Sequence, residues 1–111
     1  MKLHSVAHAR SGDKGDICNV SVIARDPAAF AAIERHLTAE RVQQHFGSMI
    51  SGPVQRFALP HLSALNFVLH GALGGGVNRS LGLDTHGKCF SSLMLDIELP
   101  DNDSTQPLGE E

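Results

Sequence analysis

Apolar positions alternate with polar ones in short runs along this chain, and three segments carry a helical spacing. Residues 3–9, LHSVAHA, and 17–25, ICNVSVIAR, are short and β-branched, and predict two strands that pair as a hairpin. In the second, Cys18, Val20, Val22 and Ala24 share one face by the two-residue period, which makes that face the core side. Asp26 and Pro27 then start a helix, as N-cap and first-turn proline, with Phe30, Ile33 and Leu37 as its apolar stripe. Thr38 caps a second helix that carries Val42 and Phe46.

After the break at SGP, residues 51–53, the run VQRFAL predicts a third strand with Phe57 and Leu59 inward. Leu62, Leu65, Leu69 and Leu73 share a helical face, which predicts a helix over about 61–73, ended by Gly74, Gly75 and Gly76. SLGLD and CFSSLMLDIELP predict a closing hairpin across THGK, with Leu93, Leu95, Ile97 and Leu99 inward and Met94, Asp96 and Glu98 outward. The predicted order is ββ-αα-β-α-ββ. Helix crossovers between strands call for some parallel pairing, so the fold class is α+β: a two-layer sandwich with helices on one face of a mixed, mostly antiparallel sheet.

Composition narrows the functional classes. The chain has 111 residues, 41% hydrophobic, enough for one domain with one modest core. Its net charge of −3 is uneven, because DNDSTQPLGEE at 101–111 holds four acids and no base. The domain is therefore residues 1–100, close to neutral, and 101–111 is expected to be a disordered acidic tail. A near-neutral body without Trp or Tyr offers neither the basic face nor the stacking platform of a nucleic-acid binder. The expected location is cytoplasmic: no signal-like apolar segment opens the chain, and Pro60, His61, Asn66, His70 and three glycines interrupt the uncharged stretch Phe57–Asn78. Cys18 and Cys89 read as reduced thiols rather than a disulfide framework.

Motif by motif, most of the familiar chemistry falls away. GLDTHGKC at 82–89 has the glycine-lysine spacing of a phosphate loop, but it carries Cys89 where Ser or Thr belongs and runs into a predicted strand. Gly74 to Gly76 follow a helix, whose negative dipole end repels anions; they serve as a cap, or as a cap that also lets a ligand or subunit approach closely. Seven histidines show no metal spacing: His4 and His8 on one strand face stand roughly 13 Å apart. No metal site and no cofactor is expected. Asn66, beside the leucine stripe, is expected to bury its amide and bond to loop backbone or to point into a pocket.

The segment that keeps its chemistry is RSGDKGD, residues 10–16. It reads either as a hydrated hairpin loop with Gly12 and Gly15 at positive φ, or as an anion nest flanked by Arg10 and Lys14. Asp13 and Asp16, with Asp84, offer a third reading as a divalent-cation site. His8, directly before the loop, and Asp13 are the weak candidates for a proton-transfer group.

Taken together, AHARSGDKGDICNVSVIAR, LTAERVQQHF, LPHLSALNFVL, ALGGG and RSLGLDTHGK resemble one family over about residues 3–100. It is the AtuA-like ferredoxin-fold domain, the small C-terminal domain of the acyclic terpene utilisation protein A family. The resemblance implies a ferredoxin-like fold without an iron–sulfur cluster. It also implies a link to the catabolism of acyclic terpenoids through acyl-CoA intermediates, in proteins that carry a large further domain. The positions matching the family's blocks are Arg10, Ser11, Gly12, Asp13, Lys14, Gly15, Asp16, Asn66, Phe67, Gly74, Gly75, Gly76, Ser80, Leu81, Asp84, Gly87 and Lys88. The expectation is a small accessory or ligand-binding subunit whose partners are a homo-oligomer, a separately encoded large AtuA-type subunit, or both. An anionic small molecule is a further possible ligand, and neither nucleic acid nor membrane is expected. The alternatives are a self-sufficient lyase- or hydratase-type enzyme with a site at an oligomer interface, and a purely structural assembly module.

Overall fold

A computed structural model describes residues 1–72 and 90–100. The hairpin forms as expected, but its strands are longer and its turn shorter. β1 (Ala7–Lys14) pairs antiparallel with β2 (Ile17–Ala24), with Ala7 opposite Ala24 and Lys14 opposite Ile17. Only Gly15 and Asp16 are left for the turn. Gly15, at φ +64°, supplies the first central residue of a two-residue hairpin turn of the II′ kind. Residues Leu3–Ser5 make a short 3₁₀ turn instead of opening the strand, so His4 and His8 do not share a strand face.

The two helices start where their caps place them. Asp26 accepts a bond from the Ala29 amide (2.7 Å) and Pro27 opens α1 (Pro27–His36). Thr38 accepts from the Arg41 amide (3.1 Å) and opens α2 (Ala39–Phe46). Phe30, Ile33, Leu37, Val42 and Phe46 are all buried, as is the even-numbered face of β2.

Two predicted elements are corrected. The segment from 61 is not a helix: after a 3₁₀ turn at Pro60–Leu62 the chain forms a strand, β4 (Ala64–His70), beside β3 (Val54–Leu59). Leu65, Phe67 and Leu69 alternate inward, so the two-residue period wins over the leucine spacing that a helix would share. At the chain's far end, residues 90–94 form a short helix, α3 (Phe90–Met94), in place of a strand, and Met94 points inward, not outward. Ile97 and Leu99 are buried as expected, and Lys2 bridges Glu98 in the extended segment that follows. The Leu3 amide bonds to the Ile97 carbonyl (2.9 Å) and the Leu99 amide to that of Met1 (2.8 Å), which fastens the two ends of the domain together. The predicted glycine cap and hairpin at 74–89, and the tail at 101–111, lie outside the described residues.

The sheet order is β1-β2-β4-β3, and every neighbouring pair is antiparallel. The expected parallel pairing is absent among the described strands for a topological reason. The crossover through α1 and α2 joins β2 to β3, and β4 inserts between them. The three described helices pack on one face, with α1 over β2, α2 over β3 and α3 over β1 and β2. The result is the two-layer α+β sandwich, with its core between helices and sheet.

β3 is phased one residue away from the expectation. Arg56, not Phe57, faces the helices, and Phe57 is 49% exposed on the opposite side. The reason is visible at the end of α1. Arg56 Nη1 donates to the carbonyl oxygens of Glu34 and Leu37, both at 2.9 Å, satisfying acceptors that a helix C-terminus leaves open. Arg56→Met should therefore cost about 2 kcal/mol in urea unfolding, with Arg56→Lys intermediate. Equal midpoints for wild type and Arg56→Met would contradict this role.

Candidate functional site

Because the described helices cover only one face of the sheet, the other face is where the described polar motif residues collect. The pairing registers define its rows. Arg10 stands opposite Ser21, Ser21 opposite Asn66, and Asn66 opposite Phe57, so one row crosses all four strands. Beside it run Gly12–Asn19–Val68–Gln55 on one side and His8–Ile23–Ala64–Leu59 on the other. Lys14, Ile17 and His70 complete the face near the hairpin turn. At about 4.8 Å between strands, Arg10 and Phe57 lie about 14 Å apart.

The middle of this face is a hydrogen-bonded patch. The Asn66 amide donates to Asn19 Oδ1 (2.5 Å) and to Ser21 Oγ (2.9 Å). His70 Nε2 donates to Gln55 Oε1 at 2.8 Å. Asn66 is half-buried and bonded to side chains of β2, which corrects the expectation of a bond to loop backbone from a helix. The face is thus graded across the strands. His8, Arg10 and Lys14 line the β1 edge, amides and a hydroxyl occupy the centre, and exposed Phe57 lies on β3. The described rows carry no carboxylate.

The RSGDKGD segment is therefore mostly strand, and its alternation sorts its residues. Arg10, Gly12 and Lys14 face the open side, whereas Ser11 and Asp13 lie on the helix side and are exposed. Gly12 does not take a positive φ; Gly15 does. A seven-residue nest of free amides is not formed, because the β1 segment of the motif is laddered against β2. His8 and Asp13 project from opposite faces of β1, about 17 Å apart along the strand, and cannot act on one substrate atom together. Asp16 lies in the turn, and no group of three metal-ligating side chains occurs among the described residues. Gly74, Gly75, Gly76, Ser80, Asp84 and Lys88 lie outside the described residues.

One family model, the AtuA ferredoxin-like domain, matches residues 1–100. The chain belongs to this family. Comparison with curated proteins and with solved structures gives no match. The open antiparallel four-stranded sheet backed by helices fits the ferredoxin-like description of the AtuA domain, and the match ends where the acidic tail begins. No helix among the described residues is long and apolar enough to cross a membrane.

Sequence reasoning singled out Arg10, Lys14 and Asn66 but missed Asn19, Ser21 and Phe57. The signal lay in β2, where polar residues 19 and 21 alternate with the apolar core positions. The Asn66 patch should behave as one unit in stability measurements. Asn66→Ala should cost about 1 kcal/mol, and a double-mutant cycle with Ser21→Ala should show about 0.5–1 kcal/mol of coupling. Simple additivity would show that the two side chains are independent.

Proposed function

We propose that this AtuA-family domain is a small accessory subunit of a catabolic enzyme system acting on acyclic terpenoid or other acyl substrates, and that it joins its assembly through the open sheet face. The observation that carries this reading is the row Arg10–Ser21–Asn66–Phe57, which unites residues of the RSGDKGD and LNF blocks, far apart in sequence, on one face that no described helix covers. Four strands of low relief suit a protein surface better than a small substrate, which needs concave walls on several sides. The exposed phenylalanine and arginine are the residue types that anchor protein interfaces. Substrate class rests on family membership, and the enzymatic step is assigned to the large AtuA-type subunit.

Co-elution of the purified protein with a separately encoded large AtuA-type subunit tests the reading. Wild type should form the complex. Arg10→Glu should weaken it at least about tenfold, and Arg35→Gln, an exposed charge on the helix layer, should leave it intact. Failure of wild type to co-elute, or indifference of the complex to Arg10→Glu, would refute it.

A further inference from the structure

The open face has a property that its individual residues do not reveal: it is complementary to itself. Arg10 and Lys14 give its β1 side the charge, Asn19, Ser21 and Asn66 lie among Ile17, Ile23 and Val68 in the middle, and Gln55, Phe57 and Leu59 form the uncharged β3 side. A two-fold axis parallel to the strands, placed between two such faces, lays β1 of one copy over β3 of the other and β2 over β4. Rows are preserved by that rotation. Arg10 then meets the second copy's Phe57, Ser21 meets Asn66, His8 meets Leu59 and Ile17 meets His70. No cation faces a cation, and the Arg10 guanidinium lies over an aromatic ring that is half-exposed in the single chain.

Two other two-fold arrangements are worse. An axis in the same plane but perpendicular to the strands sets the β1 columns over each other, which crowds both copies' Arg10 and Lys14 together with no carboxylate in the described rows. Edge-to-edge pairing of two β1 strands gathers the same four cations on one face of one ladder, Arg10 opposite Arg10 or Lys14 according to register. Alternate basic residues on an edge strand guard against that pairing. Repulsion therefore disfavours the β1-edge and the crossed geometry, and the face-to-face geometry keeps its attractive pairs.

We propose that the occupant of the open sheet face is a second copy of this chain, in a two-fold, sheet-on-sheet dimer with Arg10 of each copy over Phe57 of the other. The arrangement is isologous and closed, as two-fold interfaces are, and packs two sheets in near alignment in the manner of a sandwich. It rests on the reading of this face as the one through which the protein enters its assembly: the second copy occupies the face, and the large subunit binds the dimer so formed, so that Arg10→Glu weakens both.

Sedimentation equilibrium of the full chain tests the register as well as the dimer. Wild type should be dimeric in the micromolar range. Phe57→Lys, which sets cation against the other copy's Arg10 twice, should raise the dimer dissociation constant about a hundredfold, tenfold for each symmetric contact. Phe57→Glu sets a carboxylate against Arg10 and should keep the dimer. Combining Phe57→Lys with Arg10→Glu should restore it. Residue 57 is exposed, so equal thermal unfolding of all variants at a dilution where each is monomeric shows that only association is affected. A wild type monomeric at all concentrations would overturn the proposal, as would equal effects of Phe57→Lys and Phe57→Glu. A monomer that instead binds the large AtuA-type subunit, blocked by Phe57→Lys, would keep the docking surface and overturn the second copy. A dimer with the predicted variant pattern that ignores the large subunit would uphold the dimer and refute the accessory-subunit reading.

Discussion

The insertion of β4 between β2 and β3 is the constraint on which the rest of this domain depends. It pairs with both neighbours over nearly its whole length. Its alternation gives Leu65, Phe67 and Leu69 to the core and Asn66, Val68 and His70 to the other face. Without it the crossover through α1 and α2 would leave β2 and β3 as disconnected edges. With it, the sheet closes as a fully antiparallel layer, and Asn66 lands where it can tie Asn19 and Ser21 of β2 into one polar patch. The geometry around the strand's end is correspondingly tight. A Cβ on Gly52 would come within 2.8 Å of that of His70, and Gly71, at φ +72°, has Ser51 Oγ in the space a side chain would need.

The same arrangement explains why a motif so rich in charge need not be a loop. Among the described strands β1 is an edge, and in its second half the side chains of both faces are exposed. Arg10, Lys14 and Asp13 can be strand residues without burying charge, and only Gly15 and Asp16 are needed to reverse the chain. The cationic column that results serves two ends at once. It discourages the edge from pairing with its like, and it supplies one side of a face whose other side is aromatic.

What could be read from the residues was what local chemistry decides. Asp26–Pro27 and Thr38 mark helix starts through bonds made within one turn, and both helices begin there. The core face of β2 followed from its unbroken alternation. The hairpin pairing was legible, but its length was not, because glycine and charge in RSGDKGD signal a loop only when the strand is assumed to be buried. The segment 61–73 was misread because Leu62, Leu65 and Leu69 satisfy a helical face while Leu65, Phe67 and Leu69 satisfy a strand, and only the neighbouring strands decide between them. Phe57 was misread for a related reason. Its hydrophobicity predicted burial, but the need to satisfy the carbonyls at the end of α1 turns Arg56 inward instead. Of the open face, Arg10, Lys14 and Asn66 were visible one by one. Their meeting in one row depends on register, which single residues do not carry.

The central claim is that the face of the sheet that no described helix covers, with Phe57 exposed in the single chain, is covered when the protein assembles. Hydroxyl-radical footprinting of the five phenylalanines, Phe30, Phe46, Phe67 and Phe90 against Phe57, reads this directly. At high dilution Phe57 should label strongly and the four buried rings weakly, and on concentration Phe57 alone should become protected. Labelling of Phe57 that stays strong as the protein assembles, or that is weak from the outset, would contradict the account.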